Sequence, residues 1–277
     1  MHEAVEPKEM KGTARGRILT WAIIGGIAFV LLLMLSPLWH VPCLDKVDAV
    51  GYAVCHRLPA HSFHLAGRQL PLCARCTGTF TGALLGFVGL LALGKGKAAR
   101  MPPARVLGLL VGFIILMAID GLNSYLSLFP NTPQLYQPHN TLRLLTGTFH
   151  GLALSIIVFP IFNFTLWKEP DNKPALTGLR DLGLIILLFA LPMVLIVQAE
   201  IDFLLYPVAI ISVLGVLTML TVVNSLIIVI AIRREAQAVT CWDAALPMAL
   251  GFAATLVEIA VIVLLRWQFS IALGLPL

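Results

Sequence analysis

An all-α, polytopic transmembrane helical bundle of about seven spans, with its N-terminus inside and its C-terminus outside, is the fold class that this sequence predicts. Three observations predict it. The 277 residues are 59% hydrophobic and 12% charged, against roughly 45–50% and about 25% in an average soluble protein. The apolar residues gather into runs of the length needed to cross a bilayer core of roughly 30 Å. Those runs are continuous, without the alternation of a barrel strand, so each must satisfy its own backbone N–H and C=O groups as a helix.

The expected elements follow in order. Residues 1–17 form a basic cytoplasmic tail, and 18–277 form a single membrane domain with spans at about 18–38, 77–93, 106–129, 142–167, 182–199, 203–232 and 244–265. The first span follows a basic stretch, as a signal peptide does. It runs into Ser36-Pro37-Leu38-Trp39-His40 without a small-x-small cleavage pattern, which predicts an uncleaved anchor. The sixth run is the longest, yet two spans need about 40 residues, so it reads as one helix entered around Pro207. Pro160, Pro192 and Pro247 mark kinks or helix starts. Orientation comes from the basic residues. Lys8, Lys11, Arg15, Arg17, Lys95, Lys97, Arg100, Arg105, Lys168, Lys173, Arg180, Arg233 and Arg234 all fall on the side of the N-terminus, which the positive-inside rule makes cytoplasmic. The net charge of +5 therefore lies on membrane-flanking loops; the expected partner is the lipid bilayer, with a small-molecule or lipid ligand, and no nucleic acid.

The outer segment 39–76 reads as one long loop, and a loop beyond about 15 residues is functional or disordered. It carries four of the five cysteines, with Cys55-His56 followed by Cys73-Ala74-Arg75-Cys76. Two thiolates three residues apart converge on one tetrahedral ion, and a third ligand upstream closes the site. The candidate metal ligands are Cys55, His56, Cys73 and Cys76, and the donor set favours zinc. Neighbouring residues point different ways, so the fourth ligand is open among His56, His61, His64 and a residue of another helix. The same cysteines allow an oxidised reading outside the cytoplasm, with a Cys73–Cys76 disulfide and Cys43 paired to Cys55.

Polar residues inside the spans make a second candidate site. At 1.5 Å per residue, Asp120 lies roughly 21 Å up the third span, in the outer part of the core. Asn123 and Ser124 share its face. Arg143, Thr146, Gly147 and His150 form a stripe on the fourth span that begins at the same side, and Asn140 just before it completes the polar cluster. A charge in hydrocarbon costs on the order of 2.5–3.5 kcal/mol, which predicts an Asp120–Arg143 pair, with Gly147 and Gly151 admitting a close neighbouring helix. Glu258 stands in the outer part of the last span without a polar neighbour on its face, and Asn224 toward the inner side.

At these residues the chain resembles a family of uncharacterised prokaryotic polytopic membrane proteins, a domain of unknown function, whose signature is Cys-His-x-x-Pro-x-x-Ser-Phe, then Pro-x-Cys-Ala-Arg-Cys-x-Gly. Cys55, His56, Pro59, Ser62, Phe63, Pro71, Cys73, Ala74, Arg75, Cys76 and Gly78 match it, and the likeness continues through Asp120-Gly121, Asn140, Arg143, Thr146, Gly147 and Gly151 to about residue 165. The family pattern has arginine where this chain has His61, and glutamine where it has Asn123. The resemblance implies a polytopic membrane fold and brings no activity with it. Three functions remain open: a metal site over a polar intramembrane cavity that binds or transports a small ligand, a metal-dependent membrane-embedded enzyme acting on a lipid-like substrate, and a thiol–disulfide redox protein.

Overall fold

The computed structural model describes residues 43–129 and 132–273, so the first expected span, 18–38, lies outside the described residues. The described residues are mostly helical. Among the described residues, six helices are long and apolar enough to cross a bilayer: α2 (Ala74–Ala92), α3 (Ala104–Leu126), α4 (Asn140–Leu166), α5 (Leu179–Gln198), α6 (Leu205–Ala231) and α7 (Cys241–Leu273). A shorter helix, α1 (Cys43–Val54), precedes them.

The central packing is that of α4 on α2, and glycine makes it possible. A Cβ on Gly147 would stand 2.3 Å from the Arg75 carbonyl oxygen, and one on Gly151 would stand 1.9 Å from that of Thr79. From the other side, a Cβ on Gly78 or Gly82 would stand 2.3 Å from the carbonyl oxygen of Leu144 or Thr148. The two backbones therefore touch, the close approach that small residues four apart permit. Gly151→Val has no side chain to push aside and must separate the helices. It is expected to lose at least the roughly 1–3 kcal/mol typical of overpacking, read as a lower unfolding midpoint in detergent. Gly121→Ala, with nothing within 4 Å of its added Cβ, should be nearly neutral.

The segment 39–76 corrects the expectation of one long loop. Leu44, Val47, Gly51 and Val54 recur at helical spacing along α1, and Asp45 in its first turn complements the helix dipole. Pro59–His61 makes a single 3-10 turn, and β1 (His64–Leu65) pairs antiparallel with β2 (Arg68–Gln69) across Ala66 and Gly67, both at positive φ as a two-residue hairpin turn requires. Phe63, Leu65 and Leu70 are buried among Leu144, Val194, Leu205 and Val208. The segment is thus a folded cap plugged into one end of the bundle. The Cys43 side chain, and with it the expected pairing to Cys55, lies outside the described residues.

Turns at the opposite end carry Lys95, Lys97, Arg100, Lys168, Lys173, Arg233 and Arg234. There β3 (Ala98–Arg100) runs parallel to β4 (Asp171–Pro174), Asn163 Nδ2 donates to the Ala98 carbonyl at 2.9 Å, and Lys97 sits 4.1 Å from the Trp167 ring. A π-helical turn at Ile186–Ala190 interrupts α5 just before Pro192, whose missing N–H and ring bulk the wider turn accommodates. Pro160 and Pro247 lie inside α4 and α7.

Candidate functional site

Three thiols meet where the cap joins the bundle. Cys55 follows the last turn of α1, Cys73 is the N-cap of α2 and Cys76 lies in the first turn of that helix. Close contact between Gly51 and the Pro71 carbonyl, 2.0 Å from where a Cβ would be, brings the two segments together. The three Sγ atoms all lie within 4.8 Å of one another, and all three cysteines are free thiols. Cys55 and Cys73 are buried.

The surroundings favour thiolate at Cys55, whose sulfur in turn pushes the Cys73 thiol up. Cys55 Sγ accepts from the Cys73 N–H at 3.2 Å and from the Arg57 N–H at 3.4 Å. Arg57 reaches this position through a left-handed backbone, φ 52°. The Cys73 and Cys76 thiols, then these two N–H groups, hold the Cys55 thiol far below its usual pKa against the opposing effect of burial. The positive end of α2 acts in the same direction. Arg266, near the far end of α7, donates to the carbonyl of Cys55 at 2.8 Å and to that of Tyr52, and lies 4.1 Å from the Tyr52 ring. It closes the end of α1, a role that nothing in its local sequence announces.

The histidines stand apart from the thiols. His56 is exposed, its ring edge-on to that of His61 with centroids 5.7 Å apart, and it is not among the side chains whose ligand atoms converge. His64 is exposed on β1. His61 is half-buried; burial, then the charges of Arg143, His56 and Arg75, keep its pKa below the ordinary imidazole value.

Beside the thiols, the polar residues of α3 and α4 form one network, with a partner the sequence did not single out. Asp120, 1% exposed, pairs with Arg75 and not with Arg143. Arg75 donates from Nη2 to Asp120 Oδ2 at 2.5 Å and from Nε to the same oxygen at 3.1 Å. Arg75 stands in the first turn of the helix that Gly147 and Gly151 press against α4, which carries its guanidinium across to α3. Tyr136 donates to Asp120 Oδ1 at 2.8 Å, and burial together with that carboxylate pushes its phenol up to about 12. Thr146 Oγ1 lies 3.3 Å from Asp120 Oδ2.

Arg143 joins the network through neutral groups. Its Nε donates to Ser124 Oγ at 3.3 Å, an oxygen that also accepts from Arg75 at 2.9 Å, and its Nη1 donates to Asn140 Oδ1 at 2.8 Å. Asn140 Nδ2 reaches the carbonyls of Ala60 and Ser62, which ties the cap to α4. Asn123 fastens the segment before α4 through the Leu135 N–H and the Tyr136 carbonyl. His150, the last member of the expected stripe, contributes nothing to this network; its Nδ1 is buried without a hydrogen-bond partner among the described residues.

Glu258 also differs from expectation. Asn224 Nδ2 donates to Glu258 Oε2 and to Thr255 Oγ1, each at 3.0 Å. The last helix starts at Cys241 and runs for 33 residues, about 50 Å, so Glu258 sits near its middle, level with Asn224. A cavity of about 250 Å³ lies at the basic end beside Trp167 and Lys168, and one of about 30 Å³ lies between α4 and α5. Neither is lined by the polar network, whose groups are taken up largely by one another.

Comparison with known proteins reaches this same part of the chain. A family model described as a predicted membrane protein matches residues 55–157, the stretch that carries the three thiols, Arg75, Asp120 and Arg143. An uncharacterized protein of Methanocaldococcus jannaschii is 30% identical over 121 residues, 44% of this chain and 71% of its own length. One of Methanothermobacter thermautotrophicus is 31% identical over 105 residues, 38% of this chain and 83% of its own. No solved structure matches. With six bilayer-length apolar helices and relatives aligned over most of their length, the chain belongs to the DUF2085 family of predicted membrane proteins.

Proposed function

We propose that this protein holds one soft divalent metal ion, zinc by the chemistry of its donors, on Cys55, Cys73 and Cys76, and that this end of the bundle is a ligand-binding face on the outer side of the membrane. The observation that carries the reading is the convergence of three sulfurs within 4.8 Å. Cys73 and Cys76 alone would serve a disulfide equally well; the third thiol comes from a separate segment, buried and held in place by backbone donors. Thiolate sulfur selects zinc and similar soft ions over magnesium or calcium. The outer placement is supported by the basic turns gathered at the other end of the bundle.

Cobalt(II) added to the reduced, detergent-purified chain tests it. The expected result is an intense thiolate-to-cobalt charge-transfer band saturating at one equivalent and weakened in Cys55→Ser. Wild-type protein without that band would refute the metal site.

A second reading, a metal-dependent enzyme, is favoured by one feature. Among the described residues only three ligand atoms converge, and catalytic sites commonly pair three protein ligands with an exchangeable position. Cobalt bands that shift on adding azide would favour this reading; bands insensitive to it would favour a closed structural site.

A further inference from the structure

Arg143 is 5% exposed in the first turns of a helix that the chain reads as spanning the membrane. Its guanidinium has five N–H donors, of which two are accounted for, one to Ser124 Oγ and one to Asn140 Oδ1. Among the described residues, these are the two hydrogen bonds its side chain makes. Asp120, the nearest carboxylate in the network, is already occupied: Oδ2 takes two donors of Arg75 and Oδ1 takes Tyr136. Arg75 and Arg143 thus share one carboxylate, which Arg75 takes directly, while Asp120 and Cys73 act on Arg143 only from beyond hydrogen-bond contact, in a setting where a buried charge needs partners. His61 lies close enough for the Arg143 and Arg75 charges to act on its ring, and the Ala60–Ser62 segment is held over the start of α4 by Asn140.

We propose that Arg143, flanked by His61, binds an oxyanion of the phosphate class between the cap and the first turn of α4. The planar fork of arginine matches two phosphate oxygens, and an imidazole N–H can supply a further donor. A phospholipid headgroup and free phosphate share this chemistry, and the site lies at the end of the bundle where either can arrive. The inference deepens the reading of this end as a ligand-binding face and rests on it, but it does not require the metal.

The test uses the full chain in neutral detergent and in nanodiscs. Inorganic phosphate is titrated by calorimetry, and retention of phosphatidylglycerol against phosphatidylcholine is read by native mass spectrometry. Binding of at least one probe is expected, weakened about tenfold or more in Arg143→Gln and severalfold in Arg143→Lys, which keeps the charge and loses the fork. Phosphate binding alone identifies a soluble anion, and selective retention of phosphatidylglycerol identifies a headgroup. Wild-type chain stripped of metal by a chelator should keep the anion, which separates failure of this inference from failure of the metal reading. If Arg143→Gln does not fold, Arg143→Lys carries the comparison. Absence of binding by both probes, or wild-type binding in the folded Arg143 variants, overturns the proposal.

Discussion

Asp120→Asn is expected to be among the most damaging single substitutions in the chain, and Arg75→Gln is expected to match it. The carboxylate is buried and receives two N–H donors of one guanidinium. Removing either partner strands the other charge away from water, which costs about 3–5 kcal/mol in buried pairs. The amide that replaces the carboxylate in Asp120→Asn would also be able to rotate its own N–H donors toward the Arg75 cation. The double variant Asp120→Asn/Arg75→Gln should then be less destabilised than the sum of the singles, by about 1 kcal/mol or more. The coupling of Asp120 with Arg143 should be smaller, because those side chains communicate through Arg75 and Ser124. Unfolding midpoints in detergent for the singles and both doubles decide it. Additivity for Asp120 with Arg75 would contradict the pairing.

Cys73→Ser and Cys76→Ser form the second large expectation. Each removes one of the three converging sulfurs, and each lies where the cap joins α2. A bound structural metal contributes its binding free energy to folding, so metal content and thermal stability should fall together in both variants. Cys241→Ser, on an exposed residue at the start of α7, should change neither. Retention of full metal content in Cys73→Ser and Cys76→Ser would remove these residues from the ligand set.

What the sequence revealed and what it concealed divide along physical lines. The apolar runs at 77–93, 106–129 and 142–167 lie within a few residues of Ala74–Ala92, Ala104–Leu126 and Asn140–Leu166, because a bilayer-length helix is dictated by local composition and needs no tertiary information. The helix α1 was legible in principle through Leu44, Val47, Gly51 and Val54, but at 12 residues its signal was overshadowed by the cysteines and histidines that follow. The partner of Asp120 was not legible. Arg143 and Arg75 both stood at the correct depth, and the choice between them is made by how α2 and α4 are rotated about the contact of Gly78 and Gly82 with Gly147 and Gly151. A last span that starts at Ala244 places Glu258 and Asn224 at different depths; three more residues at its foot, and eight at its top, bring them level. The convergence of Cys55 with Cys73 and Cys76 was expected from spacing, whereas the exposure of His56 depends on the turn at Arg57, whose positive φ no residue type in the run foretells.

The most direct measurement is elemental analysis of the detergent-purified wild-type chain, with thiols titrated before and after reductant on the same sample. About one zinc per chain, with Cys55, Cys73 and Cys76 titrating as reduced thiols once the metal is chelated, is the expected result. No metal, together with a Cys73–Cys76 bond that reductant opens, would contradict it and make this a thiol–disulfide protein.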